Sequence, residues 1–249
     1  MTAQILTSTG LIDAPERVLV VVAHPDDIDF GTAGTVAQLT AAGSYVAYCL
    51  VTSGEAGEDD MTVSSADLAT MREAEQTAAA EKVGVDVLHW LHHPDGQVES
   101  NLRLRLDIAR VIRIEKPNVV ITQSPFRNLD STYGSHPDHA ETAEATLRAV
   151  YPDARNPRAF TTELLDKGFA PHTVEQVWVG QSDPDLFIDT TDVFDKKLAA
   201  LRSHASQVAK RDAEFDLEKL LREWGERLAR NGDMPDGRIA EAFRAVDTR

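Results

Sequence analysis

Short, wholly apolar runs alternate along this chain with longer stretches in which apolar residues recur every third or fourth position. Residues 18–23, Val-Leu-Val-Val-Val-Ala, are the clearest run, and 45–51, 87–91 and 118–123 repeat the type. Runs this short and this apolar predict strands buried on both faces, as in a parallel sheet. Between them, 31–42, 65–83 and 102–115 read as helices, with Gly43 and Gly84 as stop signals and Lys116-Pro117 closing the third. Further helices are predicted over 140–150, 192–210 and 217–230, and short strands over 174–179 and 186–189. The stretch 151–170 reads as loop, punctuated by Pro152 and Pro157. This alternation predicts an α/β fold: one Rossmann-like, three-layer domain over 1–249 with a mainly parallel sheet, the helices of 192–249 packed on it.

In such a sheet, sites form in the loops that leave the C-terminal ends of the strands. Each loop here carries candidate chemistry. His24-Pro25-Asp26-Asp27 follows the first run, Thr52-Ser53-Gly54-Glu55-Ala56-Gly57 the second, His92-His93-Pro94-Asp95-Gly96 the third, and His136-Pro137-Asp138-His139 lies beyond the fourth. His24 and Asp27 are good zinc ligands, and Pro25 stiffens the loop between them. Asp26, beside a ligand, can take a proton from an activated water. His136 and His139 are spaced i, i+3 with Pro137 suited to a first helical turn, so both rings can share one face. One of them completes a three-donor site for catalytic Zn²⁺; the other is free to serve a developing oxyanion or a leaving amine. Such a donor set would also accept Fe²⁺ or Co²⁺. The glycines of 52–57 let the backbone approach a ligand closely.

Composition narrows the class. With 249 residues, 42% of them hydrophobic, the chain can bury one sizeable core. No run of 18 apolar residues occurs, so no membrane span is expected, and Met1–Gly10 does not read as a secretory signal. The single cysteine, Cys49, sits in an apolar run and is expected as a buried thiol of a cytoplasmic protein. A net charge of −16, from 41 acidic and 25 basic residues, excludes nucleic acid as a natural partner. His92 and His93, adjacent at a strand end, should point apart and lie at the rim. Arg72 either contacts substrate or makes a solvent-facing pair with Glu73 or Glu75.

In order and spacing, these segments resemble the PIG-L or LmbE-like family of zinc-dependent N-deacetylases. The resemblance rests on Ala23-His24-Pro25-Asp26-Asp27, Gly31, 52–57, Arg72-Glu73-Ala74-Glu75, Pro94-Asp95-Gly96, 136–139 and His204-Ala205-Ser206-Gln207, and so spans nearly the whole chain. It implies an LmbE-like fold, with His24, Asp27 and His139 on zinc and Asp26 as general base. His136 would be general acid or oxyanion stabiliser, with Asp138 steadying its ring. Arg72 and Asp95 would contact substrate, and Tyr133 would be the carbonyl-binding tyrosine, offset by a one-residue insertion before His136. His204 falls on a predicted helix, yet the resemblance puts it near the site. One departure stands out: Ile28 occupies the position of the family's glutamate after the two aspartates. Either Asp29 compensates or the surroundings of the metal are less polar. The implied reaction removes an N-acetyl group from an N-acetylglucosamine-type small molecule or glycoconjugate, with no nucleic-acid partner and with a homo-oligomer compatible. Two readings stay open: hydrolysis of another acyl amide or an ester, and a noncatalytic sugar-binding relative, which would need neither base nor acid.

Overall fold

The computed structural model describes residues 3–58, 60–129, 132, 135–180, 183–214 and 216–249, with only the backbone at 210–214. The chain opens with β1 (Gln4–Thr7) and β2 (Gly10–Asp13), then alternates β3 (Arg17–Val22), α1 (Asp27–Gly31), α2 (Ala33–Ala41) and β4 (Tyr45–Leu50). There follow α3 (Ser65–Lys82), β5 (Val87–Trp90), α4 (Leu102–Glu115), β6 (Val119–Thr122) and α5 (Pro137–Arg148). The last part holds β7 (Gln176–Gly180), β8 (Leu186–Asp189), α6 (Phe194–Arg202), α7 (Ala205–Glu214), α8 (Leu217–Asn231) and β9 (Ala240–Asp247).

Among the described residues the strands form one nine-stranded sheet, in the order β2-β1-β8-β9-β7-β6-β3-β4-β5. Strands β7, β6, β3, β4 and β5 run parallel, and β9, β8, β1 and β2 add antiparallel pairs at one side. The apolar run of β3 is explained by burial on both faces. Val18, Val20 and Val22 pack with Val36, Leu39, Ala79 and Val83 of the α2/α3 side. Leu19 and Val21 pack with Leu104, Ile108, Ile112 and Ala145 of α4 and α5 on the other. Each such side chain contributes ~1.5–3 kcal/mol, so β3 is pinned from both sides and its C-terminal end is a rigid platform. Among the described residues no helix is long and apolar enough to cross a membrane.

The structure departs from the sequence expectation in four ways. The hairpin of β1 and β2 and the last strand β9 are unexpected; β9 enters between β7 and β8, so those two are not neighbours. Its buried Glu241, paired with Lys197, masks the apolar pattern of that strand. The helix expected over 31–42 runs from Ala33 to Ala41, and a short helix that was not expected, α1, precedes it, the two parted at Thr32 with φ −139°. The helix expected over 192–210 breaks at Ser203-His204, where His204 turns fully inward. Finally, α5 starts at Pro137 rather than 140, because His136 caps it: its Nδ1 accepts the Asp138 N–H at 3.2 Å.

Candidate metal and catalytic site

Three strand ends hold the first motif. The Ala23 N–H donates to Gln123 Oε1 beyond β6 at 3.1 Å, and the Ala23 carbonyl accepts both Thr52 N–H and Thr52 Oγ1 beyond β4, at 2.9 and 3.0 Å. His24 follows, 8% exposed, its N–H donating back to Asp27 Oδ2 at 2.8 Å. Between them Asp26 adopts left-handed backbone, φ 86° and ψ −26°. That conformation costs a non-glycine residue ~1–2 kcal/mol and is kept only where its surroundings impose it.

The turn brings three donors into one corner. His24 Nδ1 lies 3.2 Å from His139 Nε2 and 3.3 Å from Asp27 Oδ2, while His139 Nε2 lies 3.0 Å from Asp27 Oδ1. Tetrahedral binding at ~2.1 Å requires donors ~3.4 Å apart, so two imidazoles and a carboxylate at these spacings fit a divalent cation. His136 is a competing donor, since its ring lies in a group with His24 and His139 whose donor atoms are all within 4.8 Å of one another.

The second nitrogen of His24 supports the same reading. His24 Nε2 faces Asp95 Oδ1 at 3.0 Å and Asp138 Oδ2 at 3.3 Å. Both carboxylates are fixed by backbone N–H groups: Asp95 by Ala56 at 2.9 Å, Asp138 by Gly96 at 2.7 Å and Val98 at 3.3 Å. A histidine whose outer nitrogen donates to carboxylates presents its inner nitrogen unprotonated to a metal. This adds to two expectations. Asp138 holds both rings: its backbone N–H donates to His136 Nδ1, while its carboxylate, turned back under the first motif by the helix start, faces His24 Nε2. Asp95 is engaged with His24 and Ala56 rather than standing open to the cleft, and its backbone N–H is itself held by Glu55 Oε1 at 2.9 Å.

Without a cation, protons and carboxylates balance this corner. Burial opposes a charge on His24, but Asp138, Asp27 and Asp95 outweigh it and raise its pKa well above the usual value. Burial likewise opposes ionised Asp27, yet His139 and His24 hold it well below the carboxylate range. Asp26 goes the other way. Burial and the negative Asp27 push it up to about 6, against the pull of Arg72, His204 and His24. His136 is lowered, by burial and then by the charge on His24.

Arg72, 4% exposed on α3, makes neither of the solvent-facing pairs considered for it. It donates to Pro25 O and Gly54 O, each at 2.8 Å, and lies 3.5 Å from Asp26 Oδ2. Glu73 instead accepts from Ser53 Oγ at 2.5 Å, and Glu75 accepts from Ser206 N–H and Oγ at 2.8 and 2.7 Å. The close approach expected of Gly54 and Gly57 is therefore to Arg72. A Cβ on Gly54 would fall on the guanidinium, and one on Gly57 would meet Nη1 at 2.5 Å. Gly54 also has φ +70°. Gly96 makes a matched control, with φ +77° and nothing within 4 Å of an added Cβ. Gly54→Ala should therefore lower stability by ~1–3 kcal/mol more than Gly96→Ala in thermal or urea unfolding. Equal losses would show that Arg72 is not held against this turn.

The remaining candidates sort by position. His92 is at the rim, its side chain 63% exposed; His93 turns away to Asp107 Oδ2 at 3.3 Å. Tyr133 lies outside the described residues. Ile28 faces the apolar core, fully buried. Sequence reasoning missed Gln76, whose Oε1 accepts the Asp26 N–H at 3.0 Å; lying four residues after Arg72 on one helix face is the signal that could have found it. Gln76 Nε2 donates to Asp29 Oδ2 at 2.9 Å, and His204 Nε2 lies 2.8 Å from the same oxygen. Asp29 thus braces the loop from behind and does not stand in beside the metal donors.

Comparison with known proteins converges on one family. The PIG-L family model, described as GlcNAc-PI de-N-acetylase, matches residues 19–150. The chain is 35% identical over 193 residues to the diacetylchitobiose deacetylase of Thermococcus kodakarensis, covering 77% of this chain and 70% of that protein. It is 30% identical over 234 residues to a 1D-myo-inositol 2-acetamido-2-deoxy-alpha-D-glucopyranoside deacetylase of a Mycobacterium species, covering 78% and 74%. The solved N,N'-diacetylchitobiose deacetylase of Pyrococcus horikoshii superposes with a TM-score of 0.84 at 28% identity, covering 94% of this chain and 84% of that one.

Proposed function

The chain belongs to the PIG-L family, whose model matches more than half of it, and on that premise we propose that it is a zinc-dependent N-deacetylase acting on an N-acetylglucosamine-type substrate. The observation that carries this is the unspent carboxylate of Asp26. It sits beside the three donors, yet its one ion pair among the described residues is the 3.5 Å contact with Arg72. A binding protein would gain nothing from holding a buried carboxylate there with its pKa near 6.

His24, Asp27 and His139 would hold the ion. When bound, it polarises the amide carbonyl and makes a water more acidic. Asp26 takes the proton of the attacking water and returns it to the departing amine, so amide and water become acetate and ammonium. The role of His136 follows from its tautomer. Nδ1 accepts the Asp138 N–H, which leaves Nε2 carrying the hydrogen of a neutral ring. Its lowered pKa keeps it neutral at pH 7. A neutral N–H donor suits an oxyanion better than it suits protonation of an amine, so His136 stabilises the oxyanion.

The family relatives are named as deacetylases of diacetylchitobiose and of a glucosaminyl inositol, which favours the sugar amide over an ester. The test measures acetate and free amine released from N,N'-diacetylchitobiose, N-acetylglucosamine and an O-acetyl sugar by zinc-loaded protein. Equimolar acetate and amine from the N-acetyl sugars is the expected outcome. Acetate from the O-acetyl sugar alone would make the protein an esterase, and none from any would overturn the N-acetylglucosamine reading in favour of another acyl amide or a binding protein.

A further inference from the structure

The carboxylate of Asp26 can serve as a base only if its backbone stays in the left-handed region that aims it. Within its own loop the Asp26 carbonyl accepts the Asp29 and Phe30 N–H groups at 2.9 and 3.0 Å, but its side chain makes no capping hydrogen bond at the start of α1 and its N–H has no partner in the loop. The restraint on the N–H side comes from α3. Gln76, fully buried, accepts the Asp26 N–H on Oε1 at 3.0 Å. Its amide cannot flip, because Nε2 donates to Asp29 Oδ2 at 2.9 Å, and a reversed amide would set carbonyl against carboxylate and NH₂ against N–H. Asp29 is fixed in turn by His204 Nε2 at 2.8 Å, delivered by the break between α6 and α7. Asp29 and His204 are both fully buried, at 0% exposure.

This line is polar from end to end in a region that apolar side chains could fill. Its outer atoms, Asp29 Oδ1 and His204 Nδ1, are buried without a partner among the described residues. We infer that Gln76, oriented by Asp29 and His204, is a positioning residue that fixes the Asp26 carboxylate for proton transfer. The inference rests on the assignment of Asp26 as the base. The bland alternative is that the line only fastens α1 to α3 and α6.

A double-mutant cycle separates the two. Gln76→Met, close in shape but without hydrogen bonds, is measured in the wild-type and Asp26→Asn backgrounds, with kcat and KM for acetate release from N,N'-diacetylchitobiose, zinc content and Tm. In the wild-type background kcat should fall on the order of 10- to 100-fold, the scale of a misplaced reacting group, with KM and zinc content unchanged. In the Asp26→Asn background the same substitution should change kcat by less than about twofold, since no base remains to be aimed. Equal loss in both backgrounds, or loss carried by KM or zinc content, overturns the inference. If Gln76→Met does not fold, the pair His204→Gln and His204→Leu reads the line from its far end. Glutamine can still donate to Asp29 and should keep kcat within a fewfold, whereas leucine should lower it by about tenfold; equal kcat in the two overturns the inference. Wild-type kcat in Asp26→Asn alone would instead remove the base assignment, whatever Gln76 does.

Discussion

Substituting asparagine for Asp26 is expected to cut kcat for acetate release by a factor on the order of 10² to 10⁴ while leaving about one ion per chain. Asparagine keeps the shape of the side chain and its place beside Arg72, and removes only basicity. The pH profile carries a second signature. A base works deprotonated, so wild-type kcat/KM should fall as pH drops through about 6, or lower once a cation adds to the pull of Arg72. The variant should lack that limb. Stability should move oppositely to activity. Burial and the charge of Asp27 raise Asp26 from 3.8 to about 6. Between those values the folded chain binds more protons than the unfolded one, so stability falls as pH rises. At pH 7 the buried carboxylate then costs the ion-free fold on the order of 1–3 kcal/mol. Ion-free Asp26→Asn should melt higher than wild type at pH 7, and the difference should vanish below about pH 4, where both side chains are neutral. Unchanged turnover, or a variant that no longer holds the ion, would show that Asp26 is not the base.

The parallel half of the sheet was legible because β3, β4 and β6 are buried on both faces, which leaves almost no room for polar positions, and the half-buried edge strand β5 keeps a mostly apolar run. The antiparallel half was not. Strands β1 and β2 are only four residues each, half exposed, and carry little pattern. Strand β9 hides behind Glu241, whose charge is tolerable only because Lys197 and the N–H groups of Gly34 and Thr35 surround it. Such pairing joins residues 44 to 207 positions apart, and no local window contains it. The same limit applied at the site. The corner of His24, Asp27 and His139 could be read from two short motifs, because ligand chemistry restricts residue type. The outer contacts could not: Asp138 reaches under the first motif to His24, and Arg72 spends its donors on the carbonyls of Pro25 and Gly54. Those depend on where helices α3 and α5 cross the sheet end, and packing sets that.

The metal corner makes the last and most severe prediction. With no cation bound, His24 is protonated well above its usual pKa because Asp138, Asp27 and Asp95 surround it despite its burial. A proton there does part of the work of a divalent ion. Ion binding should therefore expel protons, and zinc affinity at fixed free metal should weaken as pH falls, since the cation competes with the proton on His24. Chelation should abolish acetate release, and a divalent ion should restore it. Side-chain substitutions then rank by contact with the corner. His139→Ala or Asp27→Asn removes one of three donors and should weaken zinc by more than the ~10- to 100-fold typical of an outer partner. Asp138→Asn, which acts through His24 Nε2, should fall within that range. His136→Ala should leave zinc content unchanged and lower kcat, by ~10²- to 10³-fold for a lost oxyanion donor. Isothermal titration of metal-free protein with zinc, run across pH and across the four variants, reads the affinities, and acetate release by the same proteins reads kcat. The decisive comparison is His136→Ala against Asp27→Asn. The three imidazoles are close enough to form a site by themselves, so zinc lost with His136 and kept with Asp27→Asn would replace the carboxylate by a third histidine. That result would also make His136 unavailable to the oxyanion, so the metal assignment and the mechanism stand or fall together on this pair.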